Sequence, residues 1–379
     1  MRIMIAADLV PTPSNVETFE RGETEELFDK ELRSLWYSSD ARAFNLEAPL
    51  SDEPTPIFKS GPLLRASERS IVGIKQLKPT LVTLANNHIM DHGIKGLDKT
   101  RELLEKNLIT HVGAGDNIQK AGEPLILDTG SERVGFYACA EHEYSLASRG
   151  SPGANPYDPQ ESPDHVASLK ADCDFVVVLY HGGNEYFRFP APYLQKRLRK
   201  LVDKGADFVV SQHSHCIGCF EYYKEGLIVY GQGNFLFDSD VNNEFLSSGL
   251  LIELDTKRPR KEQFIPIIKN GSGVKLAKGN ARGMILEGFF GRSEEILAEG
   301  LVEEKFEELA RSKINEYLNC FSRLGNFSTL LTGMVMASFF KGKRYKRRHL
   351  LKLQNTVRCE AHRELLLEGL KVLLEGYPE

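Results

Sequence analysis

The stretch PTLVTLANNHIMDHGIKGLDKT, residues 79–100, carries the pattern that decides the fold. It opens with an apolar, β-branched run that predicts a buried strand, and it turns polar at Asn86, Asn87 and His88. The following GLDKTRELLEKN, residues 96–107, has helical periodicity. A strand, a polar loop and a helix therefore follow one another within a short segment.

The same order recurs along the chain, because other apolar runs also end in His, Asp, Glu or Asn. Strands that alternate with helices predict an α/β protein that binds its ligands outside the carboxyl ends of the strands. The other runs are RIMIAAD (2–8), ARAFNLE (41–47), ERVGFYACAEH (132–142), DFVVVLYHGG (174–183), DFVVSQHSH (207–215) and LIVYGQGN (227–234).

Length and composition limit the possible protein classes. The 379 residues exceed the usual size of one core, so we expect a large domain at 1–290 and a helical region at 291–379. A content of 41% hydrophobic and 27% charged residues excludes a wholly disordered or fibrous chain. The net charge of -5 does not favour a polyanionic partner for the whole molecule, so no nucleic acid is expected.

The location is predicted to be cytoplasmic. The opening MRIMIAADLV meets Asp8 too early for a secretory signal, and no run reaches the roughly 18 apolar residues of a membrane span. The six cysteines are dispersed, which is typical of reduced thiols. Residues 141–165 lack periodicity and predict a long surface loop that borders the site.

The region after residue 290 has an acidic, helical pattern that Ser293 is predicted to cap. Further on, the apolar segment 327–340 precedes the basic run 341–349. Two interpretations of 327–349 stay open: a buried helix followed by a solvated turn, or a peripheral contact with anionic lipid or a polyanionic polymer.

Five segments at predicted strand ends carry oxygen and nitrogen donors. Carboxylates, amides and imidazoles without thiolates suit a divalent cation such as Mn, Fe, Zn or Ni. Taken singly, each residue has a structural explanation, for example a helix cap, a turn or a half-buried histidine, so the prediction depends on their joint occurrence. In a strand, the two histidines of H-x-H would point the same way. The segments are Asp8, Asn45 to Glu47, Asn86 to His88, His181, and His213 to His215.

The order of these residues resembles the calcineurin-like metallophosphoesterase superfamily. The segments NLEAPL, LANNHIMDHGIKGLDKT, GAGDN, YHGGNEY, GADFVVSQHSH and VYGQGNF resemble the CapA (PgsA, poly-γ-glutamate capsule synthesis) family, in order, over residues 1–240. The resemblance implies a four-layer αββα sandwich with a C-terminal helical appendage.

The resemblance also implies two divalent metal ions and a role for each residue. Glu47 would bridge the ions, with His88 as a proton donor that does not ligate and Asp91 orienting its imidazole. The remaining ligands would be Asp8 and His215 on one ion, and Asn87, His181 and His213 on the other. Candidates on the substrate side are Asn45, Asn86, Glu185 and Asn234.

Two positions depart from the superfamily pattern. The pattern has Asp-x-His at the first strand, but here Leu9 and Val10 follow Asp8, so one imidazole ligand is missing. Gln212 replaces the glycine that the superfamily tends to have before His-x-His.

The expected activity is hydrolysis of a phosphoester by a metal-activated water in capsule, poly-γ-glutamate or polysaccharide synthesis. The partner would be a phosphorylated small molecule, or an anionic polymer or glycan. Two alternatives stay open: a polymer-binding accessory without hydrolysis, and amide hydrolysis of a γ-linked polymer.

Overall fold

A computed structural model describes residues 1–237, 247–257 and 260–320, together with positions 350, 353, 354, 357 and 370. The chain divides into two compact units, Met1–Leu309 and Ala310–Glu379. The first unit contains both large sheets.

The strands follow one another in chain order, with helices between many of them. The strands are β1 (Arg2–Val10), β2 (Ala41–Leu46), β3 (Leu81–Thr83), β4 (Thr110–Val112), β5 (Ala114–Gly115), β6 (Leu125–Asp128), β7 (Arg133–Ala140), β8 (Gly153–Ala154), β9 (Phe175–His181), β10 (Phe208–Gln212), β11 (Ile217–Tyr223), β12 (Gly226–Gln232), β13 (Asn234–Phe237), β14 (Ser248–Asp255), β15 (Lys261–Asn270) and β16 (Gly273–Leu276). The helices are α1 (Val16–Arg21), α2 (Thr24–Leu27), α3 (Lys30–Ser38), α4 (Ile71–Gln76), α5 (Gly93–Lys106), α6 (Ile118–Ala121), α7 (Glu161–Asp172), α8 (Pro192–Asp203), α9 (Gly279–Glu295) and α10 (Leu301–Cys320).

Within the described residues the strands form two large mixed sheets. The eight-stranded sheet has the order β16-β15-β14-β1-β2-β3-β4, with β13 also paired to β1. The six-stranded sheet has the order β11-β12-β10-β9-β7-β6. The central pairs β1–β2, β2–β3, β7–β9 and β9–β10 are parallel. Their carboxyl ends therefore meet at one edge of each sheet.

Three apolar clusters hold the layers together. Ile5 and Ala43 of the larger sheet pack with Phe136 and Val177 of the smaller sheet in the central cluster. The outer face of the larger sheet packs on residues such as Trp36 of α3 and other helical side chains. A third cluster covers the smaller sheet with α7 and α8. The predicted four-layer αββα sandwich is confirmed, and the buried runs explain why strands such as β9 are apolar on both faces.

The first unit extends past the boundary predicted at residue 290, because α9 spans that position. Phe289 of α9 is fully buried and packs against Phe220 and Phe264. The prediction that Ser293 caps a helix was wrong. Ser293 lies inside α9, where its hydroxyl donates to Phe289 O and accepts from Phe220 N.

The long loop predicted at 141–165 is also shorter than expected, because α7 begins at Glu161. Among the described residues, no helix combines the length and the apolar character needed to cross a bilayer. The segment 327–349 lies outside the described residues.

Candidate metal centre

The polar side chains predicted as ligands lie at the carboxyl ends of strands from both sheets. Each of these side chains lies at the end of a buried strand, so the hydrogen bonds of the sheets fix the backbone from which it projects. Asp8 lies in β1, Glu47 follows β2, Asn87 and His88 follow β3, His181 ends β9, and His213 and His215 follow β10.

Glu47 lies at the centre of the cluster. It is fully buried, and neither of its carboxylate oxygens has a hydrogen-bond partner among the described residues. Ligand atoms of Glu47, His213 and His215 all lie within 4.8 Å of one another. A buried carboxylate without donors is costly, so this arrangement fits a cation between these side chains.

His213 and His215 reach the cluster from a turn. β10 ends at Gln212, and both histidines have positive φ, 95° for His213 and 52° for His215. The expectation that a strand aligns the two rings was therefore wrong. Each such backbone costs on the order of 1–3 kcal/mol, and strain of this kind concentrates at functional sites.

The orientation of His215 is set by Asn234 at the start of β13. Asn234 Oδ1 accepts from His215 Nδ1 at 3.0 Å, which leaves Nε2 as the free nitrogen of that ring. Asn234 Nδ2 is buried and has no hydrogen-bond partner among the described residues. Asn234 thus holds a candidate ligand and also has an unused donor in the site.

A chain of buried amides fixes Asp8. Asn45 Nδ2 donates to Asp8 Oδ1 at 2.8 Å, and Asn86 Nδ2 donates to Asn45 Oδ1 at 2.9 Å. Asn45 and Asn86 have no exposed surface. Both were expected on the substrate side, but their amide groups are engaged with neighbouring side chains, so their geometry is that of residues that position the ligands.

His181 and Asn87 face each other across the site. His181 Nε2 lies 3.0 Å from Asn87 Oδ1 and 3.3 Å from Glu47 Oε1. Asn87 Nδ2 donates to Glu143 Oε2 at 2.8 Å, so its carbonyl oxygen points to His181. Sequence reasoning missed Glu143, although it follows the carboxyl end of β7 and the strand-end rule would have included it.

His88 and Asp91 form the expected pair, with 2.6 Å between His88 Nδ1 and Asp91 Oδ2. Because a carboxylate accepts only, His88 Nδ1 carries the proton and Nε2 is left free. Lys59 Nζ also contacts Asp91, at 2.5 Å from Oδ1. Lys59 was missed because it lies in a loop without periodicity.

Glu185 and Tyr186 lie at the exposed edge of the cluster. The Tyr186 ring centroid is 6.0 Å from that of His215, and the charge of Glu185 helps to raise the pKa of Glu47. Glu185 is therefore placed where a substrate could reach it, and its substrate role stays a prediction.

Gln212, at one of the two departures from the superfamily pattern, makes buried hydrogen bonds. Its Nε2 donates to Ala6 O and to Gln232 Oε1, both at 3.0 Å. The side chain therefore connects the two sheets directly below the cluster. Val10, at the other departure, is buried and pairs with Phe237 in the sheet.

The electrostatics of the cluster also fit a cation. Burial, followed by the charge of Asp8, raises the pKa of Glu47 to about 8. Burial lowers the pKa of His181, and burial with the neighbouring His181 and His215 lowers the pKa of His213 well below its usual range. Both imidazoles are thereby held in the neutral form that binds metals.

The chain is similar to known proteins of bacterial capsule synthesis. The model of the family described as "Bacterial capsule synthesis protein PGA_cap" matches residues 3–239. The chain is 30% identical to the capsule biosynthesis protein CapA of Bacillus anthracis over 53% of this chain and 51% of that protein. It is 29% identical to the PGA biosynthesis protein CapA of Bacillus subtilis, over 55% of this chain and 56% of that protein.

The chain thus spans about half the length of these relatives. Among solved structures, a novel phosphatase from Mycoplasma pneumoniae aligns with a TM-score of 0.42 and 12% identity. That alignment covers 72% of this chain and 90% of the phosphatase.

Proposed function

This chain belongs to the bacterial capsule synthesis protein (PGA_cap) family, and from that premise we propose that it is a metal-dependent phosphoester hydrolase. The reaction would serve synthesis of a capsule polymer, in keeping with the names of the relatives. Its substrate would be a phosphorylated small molecule or a phosphorylated intermediate of an anionic polymer or glycan. The cytoplasmic location stays a prediction.

The observation that carries the proposal is the state of Glu47. A fully buried carboxylate whose two oxygens have no hydrogen-bond partner among the described residues lies beside His213, whose Nδ1 likewise has none there. Such a group destabilises the fold unless it is protonated or a cation binds to it. Oxygen and imidazole donors in this number suit a borderline divalent metal.

Six side chains would hold the cations. Glu47 is central, and His181 lies close to both Glu47 and Asn87. When bound, divalent cations supply Lewis-acid polarisation of a phosphoryl oxygen and activation of water. The proposed ligands are Asp8, Glu47, Asn87, His181, His213 and His215.

The remaining residues would donate a proton and contact the substrate. Asp91 accepts from His88 Nδ1, so the other ring nitrogen, Nε2, faces away from Asp91; in the doubly protonated imidazolium form of His88 it would donate its proton to the leaving oxygen as the phosphorus–oxygen bond breaks. Asn234 Nδ2, which has no hydrogen-bond partner among the described residues, would donate to a phosphoryl oxygen. Glu185, on the exposed edge, would contact the non-reacting part of the substrate.

A second candidate function is polymer binding without hydrolysis. It is favoured by Val10, because a buried apolar side chain stands where the superfamily pattern has an imidazole. One ion would then have fewer protein ligands and bind more weakly.

Turnover of bis-p-nitrophenyl phosphate tests the proposal. The protein is stripped with a chelator and reloaded with Mn²⁺, and we expect hydrolysis only after reloading. Glu221→Gln, which changes a buried carboxylate outside the site, is the matched control and should retain activity. Tight binding of poly-γ-glutamate by the metal-loaded protein without phosphoester turnover would favour the second candidate, and release of free amines from γ-linked oligoglutamate would identify amide hydrolysis.

A further inference from the structure

Residues 51–66 form a closed loop beside the candidate metal centre. Ser51 N donates to Ala66 O at 3.0 Å, and Ala66 N donates to Pro49 O at 3.0 Å, so the two ends of the loop meet. At its tip Phe58 is 85% exposed, yet the next side chain, Lys59, is 2% exposed. The loop therefore turns one cationic side chain inward.

Lys59 is buried against the pair that holds the candidate proton donor. Its Nζ lies 2.5 Å from Asp91 Oδ1 and 3.3 Å from His88 Nδ1. It also lies over the ring of Tyr144, 5.6 Å from the centroid. Burial of an ammonium group is costly, and Asp91, which has no exposed surface, compensates it.

Asp91 is the common acceptor for three donors. Leu64 N donates to Oδ2 at 2.7 Å, His88 Nδ1 contacts the same oxygen, and Lys59 occupies Oδ1. In addition, Ile57 N donates to Asp91 O at 3.0 Å, so the loop also binds the backbone of this residue. With Lys59 on one oxygen, the other oxygen is directed at His88.

A second lysine in contact with the same loop provides a contrast. Lys95 of α5 pairs with Glu53 at 2.7 Å, but its side chain is 66% exposed and that of Glu53 is 59% exposed. An exposed pair of this kind contributes little to structure. The two ion pairs thus have similar chemistry and differ in burial and in distance from His88.

We propose that Lys59 is a positioning residue which, through its buried ion pair with Asp91, fixes the orientation of His88 with Nε2 directed to the reaction. The contacts of Lys59 are with Asp91, His88 and Tyr144, none of them a proposed metal ligand, so Lys59 is not a catalytic residue in this proposal. The role of His88 as proton donor rests on the proposed function, whereas the fixed orientation of its imidazole does not.

The test compares Lys59→Met with Lys95→Met as the matched control. The first readout is the side-chain ¹⁵N spectrum of the histidines, with the His88 signals assigned by their loss in His88→Asn. The second is kcat and KM for bis-p-nitrophenyl phosphate with Mn²⁺. We expect Lys59→Met to convert His88 from a single state, in which Nδ1 is protonated, into a mixture in which Nδ1 is only partly protonated. We also expect kcat to fall by about 10-fold to 100-fold at unchanged KM and Mn²⁺ content, the scale of a supporting contact.

Lys59→Gln retains a donor but no charge, and it replaces Lys59→Met if that variant does not fold. A wild-type His88 spectrum in either folded Lys59 variant would overturn the proposal. Loss of structure in both variants would assign Lys59 to folding and overturn it as well. If the wild type hydrolyses no phosphoester, the proposed function fails, and the ¹⁵N spectra still decide the role of Lys59.

Discussion

Two buried glutamates, one from each large sheet, have opposite surroundings. Glu221 on β11 is 4% exposed, and Arg199 binds both of its oxygens, at 2.9 and 2.6 Å. The hydroxyl of Tyr230 donates to it at 2.6 Å. Glu47 after β2 is also buried, and within the described part of the chain neither of its oxygens has a hydrogen bond.

The difference separates a structural carboxylate from a functional one. The fold supplies a complete set of donors for Glu221, so its burial requires no further partner. For Glu47, burial and then the neighbouring charge of Asp8 raise the pKa to about 8, and this raised pKa reflects the lack of compensation. A buried polar group that the protein leaves unsatisfied therefore indicates where a ligand binds.

The largest expected effect concerns His88, which borders Glu47 but is not a proposed ligand. His88→Asn should lower turnover of bis-p-nitrophenyl phosphate by about 10²–10⁴-fold, because a positioned proton donor contributes this much. Mn²⁺ content, measured by mass spectrometry of the metal, should stay at the wild-type level. Loss of metal in this variant would make His88 a ligand and overturn its assigned role.

The next effect concerns the histidines that flank Glu47. His213→Asn should weaken Mn²⁺ binding by at least about 10-fold to 100-fold, since even supporting contacts of a metal site contribute this much. Isothermal titration calorimetry measures the change. His165→Asn, at an exposed position of α7, is the control and should bind Mn²⁺ normally. Equal affinities in the two variants would contradict the ligand role of His213.

A smaller effect distinguishes the two glutamates by stability. Glu221→Gln should lower the free energy of unfolding in urea by about 1.5–3 kcal/mol, the usual contribution of hydrogen bonds to a charged group. Glu47→Gln should not lower it in the metal-free protein, because neither carboxyl oxygen of Glu47 has a hydrogen bond among the described residues that the substitution could remove. Glu225→Gln, on an exposed turn, controls for the substitution itself. A loss at Glu47 equal to that at Glu221 would mean that the fold does compensate Glu47.

The smallest effect is a pH dependence. A carboxyl group whose pKa is raised from 4.5 to about 8 in the folded state binds a proton that the unfolded chain has released. Stability of the metal-free protein should therefore fall as pH rises through that window. Because the pKa values of His181 and His213 are lowered, these residues make stability rise with pH below pH 6.5. The change in stability between pH 6.5 and 8 is therefore assigned to Glu47. Thermal unfolding of Glu47→Gln should show a flatter slope there, and an unchanged slope would contradict the raised pKa.

The sequence patterns were sufficient for the alternation of strands and helices and for the polar residues that follow the strands, because apolar runs and helical periodicity record burial directly, whereas the four layers were implied by the family resemblance. The patterns were insufficient where conformation is set by tertiary contacts. α9 contains Gly283, Gly288 and Gly291, which have low helix propensity, and the burial of Phe289 stabilises it instead. The turn at His213 and His215 has positive φ, which no residue pattern indicates for histidine.

Long-range contacts within the site were also beyond the sequence. Lys59 reaches Asp91 from a loop, 32 positions away in the chain, and nothing near Lys59 marks it as buried. Asn45 and Asn86 were predicted on the substrate side, and only the three-dimensional contacts show that the amide of Asn45 faces Asp8 and that the amide of Asn86 faces Asn45.

Mn²⁺ binding to the wild type, Glu47→Gln and Glu221→Gln tests the central claim most directly. Calorimetric titration of the chelator-stripped proteins should show binding to the wild type and to Glu221→Gln, and none at the same concentrations to Glu47→Gln. A wild type that binds no divalent cation, or a Glu47→Gln variant that binds Mn²⁺ as tightly as the wild type, would contradict the claim that the unsatisfied carboxylate of Glu47 is the centre of a metal site.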